Sequence, residues 1–137
     1  MLTLNDCAVT AYCVVGLGLA AQGLRYLVAS EYMHYHADVV QENWSQLKPT
    51  EQRLMLGLLK GFGAGMLCLG LSTVFVALGP LRDGAYMAHW FLAFLAISYT
   101  ALLVHITRFA LLPHAAPIAV TTTMCALSIA AAIASWL

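Results

Sequence analysis

Charge is the scarcest commodity in this chain of 137 residues: Asp, Glu, Lys and Arg together make up 9% of it. A soluble domain carries roughly 25%. With 62% hydrophobic residues and a mean hydropathy of +0.84, twelve charged side chains cannot cover a water-facing surface. Soluble globular and disordered classes are excluded. A basic field is lacking too. Six Lys and Arg offset six Asp and Glu, so nothing attracts a polyanion, and nucleic-acid binding is excluded with it. The four cysteines, Cys7, Cys13, Cys68 and Cys125, form no CxxC or finger spacing and lie inside apolar runs, where free thiols act as small hydrophobes. No Walker loop, dinucleotide fingerprint, G-x-S-x-G or H-E-x-x-H occurs. No acidic residue falls within an apolar run, which disfavours a proton-coupled carrier of the small multidrug type.

What is present is long apolar sequence. Runs free of Asp, Glu, Lys and Arg cover 7–24, 61–81, 84–107 and 109–137. A bilayer core of about 30 Å takes about 20 helical residues, and backbone in lipid must pair internally. The expectation is an all-α protein, one integral membrane domain over 1–137. It is a bundle of four transmembrane helices with spans near 7–29, 54–79, 85–110 and 117–137. The first run lacks the basic n-region of a cleaved signal peptide and is expected to remain. Gly79-Pro80-Leu81-Arg82-Asp83-Gly84 reads as a tight turn, and Leu112 to Pro117 as another, with Pro117 in the first turn of the fourth helix. The longer connection, 30–53, places Val40, Trp44 and Leu47 on one helical face, which suggests a short interfacial helix between the first two spans. Pro49 should end it, with Thr50 as the N-cap of the second span. Arg25, Lys48, Arg53, Lys60 and Arg108 fall on one side and Arg82 on the other. Sidedness then puts the larger cluster in the cytoplasm and both termini outside. Tyr26, Tyr32, Trp44, Tyr86, Trp90 and Trp136 sit near span ends as an aromatic belt.

Three sets of residues carry functional expectations. Gly57, Gly61 and Gly65 form a doubled GxxxG in the second span, a face on which another backbone can approach closely. Gly16 and Ala20, and Ala126, Ala130 and Ala134, offer matching small faces. Such a stripe serves packing within the bundle or a homodimer. Arg25, Lys60 and Arg108 are intramembrane or span-end cations. They can snorkel to head groups, and Lys60 can instead pair with Glu31 or Glu51. Finally, Glu31, His34, His36 and His105, with Asp38 and His114 nearby, are the donors from which a mononuclear Zn, Cu or Fe site would be built. Glu31 and His34 form a single Glu-x-x-His pair, whereas a di-iron bundle needs two plus two further glutamates. His89 lies 16 residues before His105, about 24 Å along the helix and so toward the opposite face, and no second helix offers a matching histidine for bis-histidine haem.

Two stretches carry a resemblance. Gly16-Leu-Gly18-Leu-Ala-Ala-Gln-Gly23-Leu-Arg25 is similar to the first helix, and Leu56-Gly57-Leu-Leu-Lys60-Gly61-Phe-Gly63-Ala-Gly65-Met-Leu-Cys-Leu-Gly70 to the glycine-rich second helix, of the DoxX-like group of small bacterial four-helix membrane proteins. The 32–38 stretch departs from that pattern. Tyr35-His36, Trp44 and Gln52 look more like uncharacterised bacterial membrane proteins with a Tyr-His pair, a Trp and a Gln before the second helix. The DoxX-like resemblance implies an accessory subunit of a membrane redox complex and transfers no catalytic residue. The expected function is therefore a non-enzymatic accessory or packing subunit. The alternatives are a metal- or quinone-dependent redox protein and a lipid or amphiphile binder.

Overall fold

The computed structural model describes residues 3–33, 36–37, 40–111 and 115–136. Its elements are α1 (Leu4–Val28), a 3-10 turn (Trp44–Gln46), α2 (Pro49–Val76), a π-helical turn (Ala77–Leu81), α3 (Tyr86–Leu111) and α4 (Ala115–Trp136). Four segments are long and apolar enough to cross a membrane: Leu4–Val28, Pro49–Leu81, Tyr86–Arg108 and Ile118–Trp136. The protein is an all-α four-helix bundle.

Capping explains where the first two helices start. The Thr3 hydroxyl accepts from the Asp6 N–H at 3.1 Å while the Thr3 N–H donates to the Asp6 carboxylate at 2.9 Å. This reciprocal box satisfies two donors that α1 would otherwise leave open. At α2 the structure corrects the expected boundary. Pro49 opens the helix instead of ending the preceding one, and the Lys48 N–H donates to Glu51 Oε2 at 2.9 Å. A first-turn proline loses no hydrogen bond and has its φ already set. The interfacial helix expected over 40–47 is interrupted at Gln41, whose φ is 59°; the described residues retain only the 3-10 turn at Trp44–Gln46. The turn expected over 79–84 is shorter: the helix continues through Pro80 as the π-helical turn to Leu81, and the chain reverses over 82–84, with Gly84 at φ 75°.

Glycine sets the packing. A Cβ at Gly23 would lie 2.5 Å from Leu67 N and 2.6 Å from the Gly63 carbonyl oxygen, and one at Gly16 would lie 2.7 Å from the Gly70 carbonyl oxygen. The α1 and α2 backbones therefore touch. In lipid, where apolar burial gives no driving force, that contact is what dispersion needs. α4 lies on the other flank of α1, where Gly18 accommodates the Met124 side chain. α3 packs mainly on α4 and meets α2 little beyond their shared hairpin. Tyr12, Leu92 and Leu81 fill one half of the interior and Val15, Leu19, Met66 and Leu103 the other.

The GxxxG expectation for packing inside the bundle is corrected. A Cβ at Gly57, Gly61 or Gly65 would meet nothing within 4 Å. The inward glycines are Gly63 and Gly70, seven apart, opposite Gly16 and Gly23, also seven apart. That spacing returns to the same side after two turns. On α4 the inward small residues are Ser128, Ala131 and Ala132, while Ala126 and Ala130 face outward.

Candidate functional site

The glycine contacts fix a register. Gly16 lies opposite Gly70 and Gly23 opposite Gly63, and Asn5 Nδ2 donates to the Leu81 carbonyl at 3.4 Å on the same antiparallel alignment. Extending it puts Lys60 level with Arg25 and Tyr26. On α4, Met124 against Gly18 makes residue 117 level with Arg25. Trp136 contacts Tyr86 and Trp90 with ring centroids 5.8 and 4.6 Å apart, which brings Arg108 within about a turn of that level. Three cations from three helices thus end their apolar runs at one depth. All three are exposed. None forms an ion pair with a described residue, so the pairing of Lys60 with Glu31 or Glu51 is not made. From Asn5 to Arg25, α1 rises about 30 Å, the thickness of a hydrocarbon core. Asp6, Arg82 and Asp83 mark the other end.

Above the cationic level, the connection folds back over α1 as a small aromatic cap. Tyr32 stacks edge-on to Trp44 at 5.1 Å and donates its hydroxyl to the Glu42 carbonyl. Gln52 Nε2, one turn into α2, donates to the Trp44 carbonyl at 2.8 Å and to the Leu47 carbonyl at 3.3 Å, which pins the cap to the helix. His36 lies 6.3 Å from Tyr26 and 6.5 Å from Tyr32, ring to ring. Its Nδ1 accepts from the Met33 N–H at 3.3 Å. Burial pushes its imidazole below the ordinary value of 6.5, since a half-buried ring loses the water that stabilises its cation. Burial, and then the charges of Glu42 and Glu31, push the Tyr32 phenol up.

Of the expected metal donors, His34 lies outside the described residues, as do Asp38 and His114. Glu31 and His105 are exposed and His36 is half-buried. Among the described residues no three of His, Cys, Asp and Glu come together. His89 sits at the opposite end, 5.7 Å from the Trp136 ring. The cap and the cationic level are what this end offers chemically: donors for anionic or carbonyl oxygens and a half-wet aromatic surface.

Sequence reading placed Gly16 and Ala20 on a small face, and both lie against Gly70; it missed Gly23, Gly63 and Gly70, although their signal is present: two pairs at a seven-residue spacing on adjacent helices. Compared with protein-family models, curated proteins and solved structures, the chain matches none. The class defined by the fold is that of a small four-helix integral membrane protein.

Proposed function

We propose that this protein is a non-enzymatic accessory or packing subunit that assembles in the membrane through the outer face of α2. One observation carries the reading. α2 has two glycine faces, and its own fold uses only one. Gly63 and Gly70 are consumed by α1, while Gly57, Gly61 and Gly65 are open and continue into exposed Ala64, Cys68 and Ser72. Leu54, Leu58 and Phe62 border the stripe and are exposed at 65%, 67% and 41%. A groove of small residues with bulky flanks fits a helix backbone, from a second copy of this chain or from a larger complex. The orientation that goes with this reading places the five-cation side in the cytoplasm of a bacterial inner membrane and both termini outside.

Cys68 permits a direct test. In membranes from a variant whose other cysteines are Ala, oxidative crosslinking through Cys68 should yield a dimer or a heterologous adduct. Gly61→Leu should abolish it without lowering the melting temperature of the purified protein. A monomer that never crosslinks and co-purifies with no other chain overturns the reading.

A second reading has its own support: the common depth of Arg25, Lys60 and Arg108 favours binding of anionic lipid head groups by a cationic girdle. The metal- or quinone-dependent redox reading has no comparable observation behind it.

A further inference from the structure

The facing sides of α2 and α3 change character along their length. At the hairpin end, Ala88 of α3 shares a core cluster with Val9, Ala77 and Leu81 and is 5% exposed. Tyr99 and Ile106 lie on the same side of α3, three and five turns further on, yet Tyr99 is only half-buried and Ile106 is 43% exposed. On α2, Thr73 and Met66 are buried, while Phe62, one turn nearer the cationic level, is 41% exposed. The two helices meet little beyond their hairpin. The seam between them is therefore shut at one end and opens sideways to lipid as it approaches the cations.

Tyr99 stands in this opening. It packs against the cluster that holds Leu19, Tyr26, Met66 and Leu103. With Ala88 beside Val9 and α3 running parallel to α1, Tyr99 is level with Ala20, about 8 Å below Arg25. Helical side chains lean toward the helix N-terminus, which for α3 is deeper still. Its hydroxyl has no hydrogen-bond partner among the described residues, and a phenolic donor left open in hydrocarbon costs free energy. Bulk water, phosphates and phospholipid ester oxygens stay at the head-group level above it. An acceptor for Tyr99 has to arrive through the hydrocarbon, on an uncharged molecule. We propose that the α2–α3 seam binds an uncharged lipid with a small polar head, whose carbonyl or hydroxyl oxygen accepts from Tyr99 and whose chain leaves between Phe62 and Ile106. Phe62, Met66 and Leu103 supply apolar contact and the phenol fixes the head, the usual division of labour in a small-molecule site. This site does not depend on assembly through the outer face of α2, and it differs from a cationic girdle in selecting a head without charge.

The test is photolabelling of the intact protein in phosphatidylcholine vesicles with an alkyl benzophenone, an uncharged ketone that crosslinks to nearby C–H bonds on irradiation. Labelling at Phe62, Leu102 and Ile106, mapped by peptide mass spectrometry, is read against labelling at Phe94. That ring is 74% exposed on another side of α3 and reports simple contact with the bilayer. Tyr99→Phe should lower labelling at the seam about fivefold, the worth of one hydrogen bond, and leave Phe94 unchanged. Leu102→Trp, which narrows the mouth, should cause a similar loss. An excess of a long-chain methyl ketone or of a long-chain alcohol should compete, and the stronger competitor names the head group; an alkane of the same length should not compete. Equal labelling of the seam in the parent and in Tyr99→Phe overturns the proposal, as does competition by the alkane that matches the ketone and the alcohol.

Discussion

Gly23→Ala and Gly61→Ala add the same methyl group to neighbouring helices, and the structure assigns them opposite outcomes. At Gly23 the new Cβ would fall 2.5 Å from Leu67 N, 2.6 Å from the Gly63 carbonyl oxygen and 3.0 Å from Leu67 Cα, all backbone. None of these can rotate away, so α1 and α2 must part by about 1 Å to restore ordinary contact. A gap of that size forfeits a quarter to a half of each dispersion well along the seam. Overpacking of this kind costs about 1–3 kcal/mol. At Gly61 the methyl meets nothing within 4 Å, so no such cost arises. The gain in helix propensity, about 1 kcal/mol in aqueous hosts, is common to both variants. Their difference therefore isolates packing, and Gly23→Ala should be less stable than Gly61→Ala by about 1–3 kcal/mol. Reversible unfolding in mixed micelles, followed by helicity, measures it at a protein concentration low enough to keep the chain monomeric. Equal stabilities would refute the assignment of inward and outward faces on α2.

Two further outcomes follow from the capped end. Because burial lowers the folded-state pKa of His36, its contribution is fully present above the unfolded value near 6.5 and is lost as pH falls through the lower folded value. The melting temperature should therefore fall as pH drops below about 6.5, and His36→Gln should flatten that slope; an unchanged slope would show that the imidazole is not desolvated in the fold. Replacing Lys60 by Met should reduce anionic lipid retained in native mass spectrometry, with a further loss when Arg25→Met is added; equal retention in all three proteins removes the cationic girdle from lipid recognition.

Much of the fold is legible because lipid writes in a coarse script. Four charge-free runs, a Gly-Pro turn at 79–84 and the position of the aromatic residues suffice to place four helices, and the structure has them. Which face of each helix turns inward is not legible. In a soluble bundle a polar face would mark the outside. Here Gly61 and Gly63 sit in equally apolar surroundings, and the choice rests on whether a partner backbone has complementary glycines at the same spacing. The GxxxG run is the more conspicuous motif, but the pairs 16/23 and 63/70 are the ones that match across two helices. The common side of the cations is legible in the runs they bound; their alignment in depth is not. Arg25, Lys60 and Arg108 are each visible as the end of a run, but their alignment follows from the α1–α2 and α3–α4 registers. The 40–47 segment was misread because its apolar spacing is helical while Gln41 takes a left-handed φ, which no periodicity reveals.

The central claim is that about 30 Å of hydrocarbon separates the Arg25, Lys60 and Arg108 level from the Asp6 and Arg82 level. Single-cysteine variants Lys60→Cys and Arg82→Cys, in an otherwise cysteine-free chain, can be exposed to a membrane-impermeant maleimide in right-side-out and in inverted vesicles. The account predicts that each labels from one side only and that the two sides differ. Labelling of both positions from the same side would contradict it.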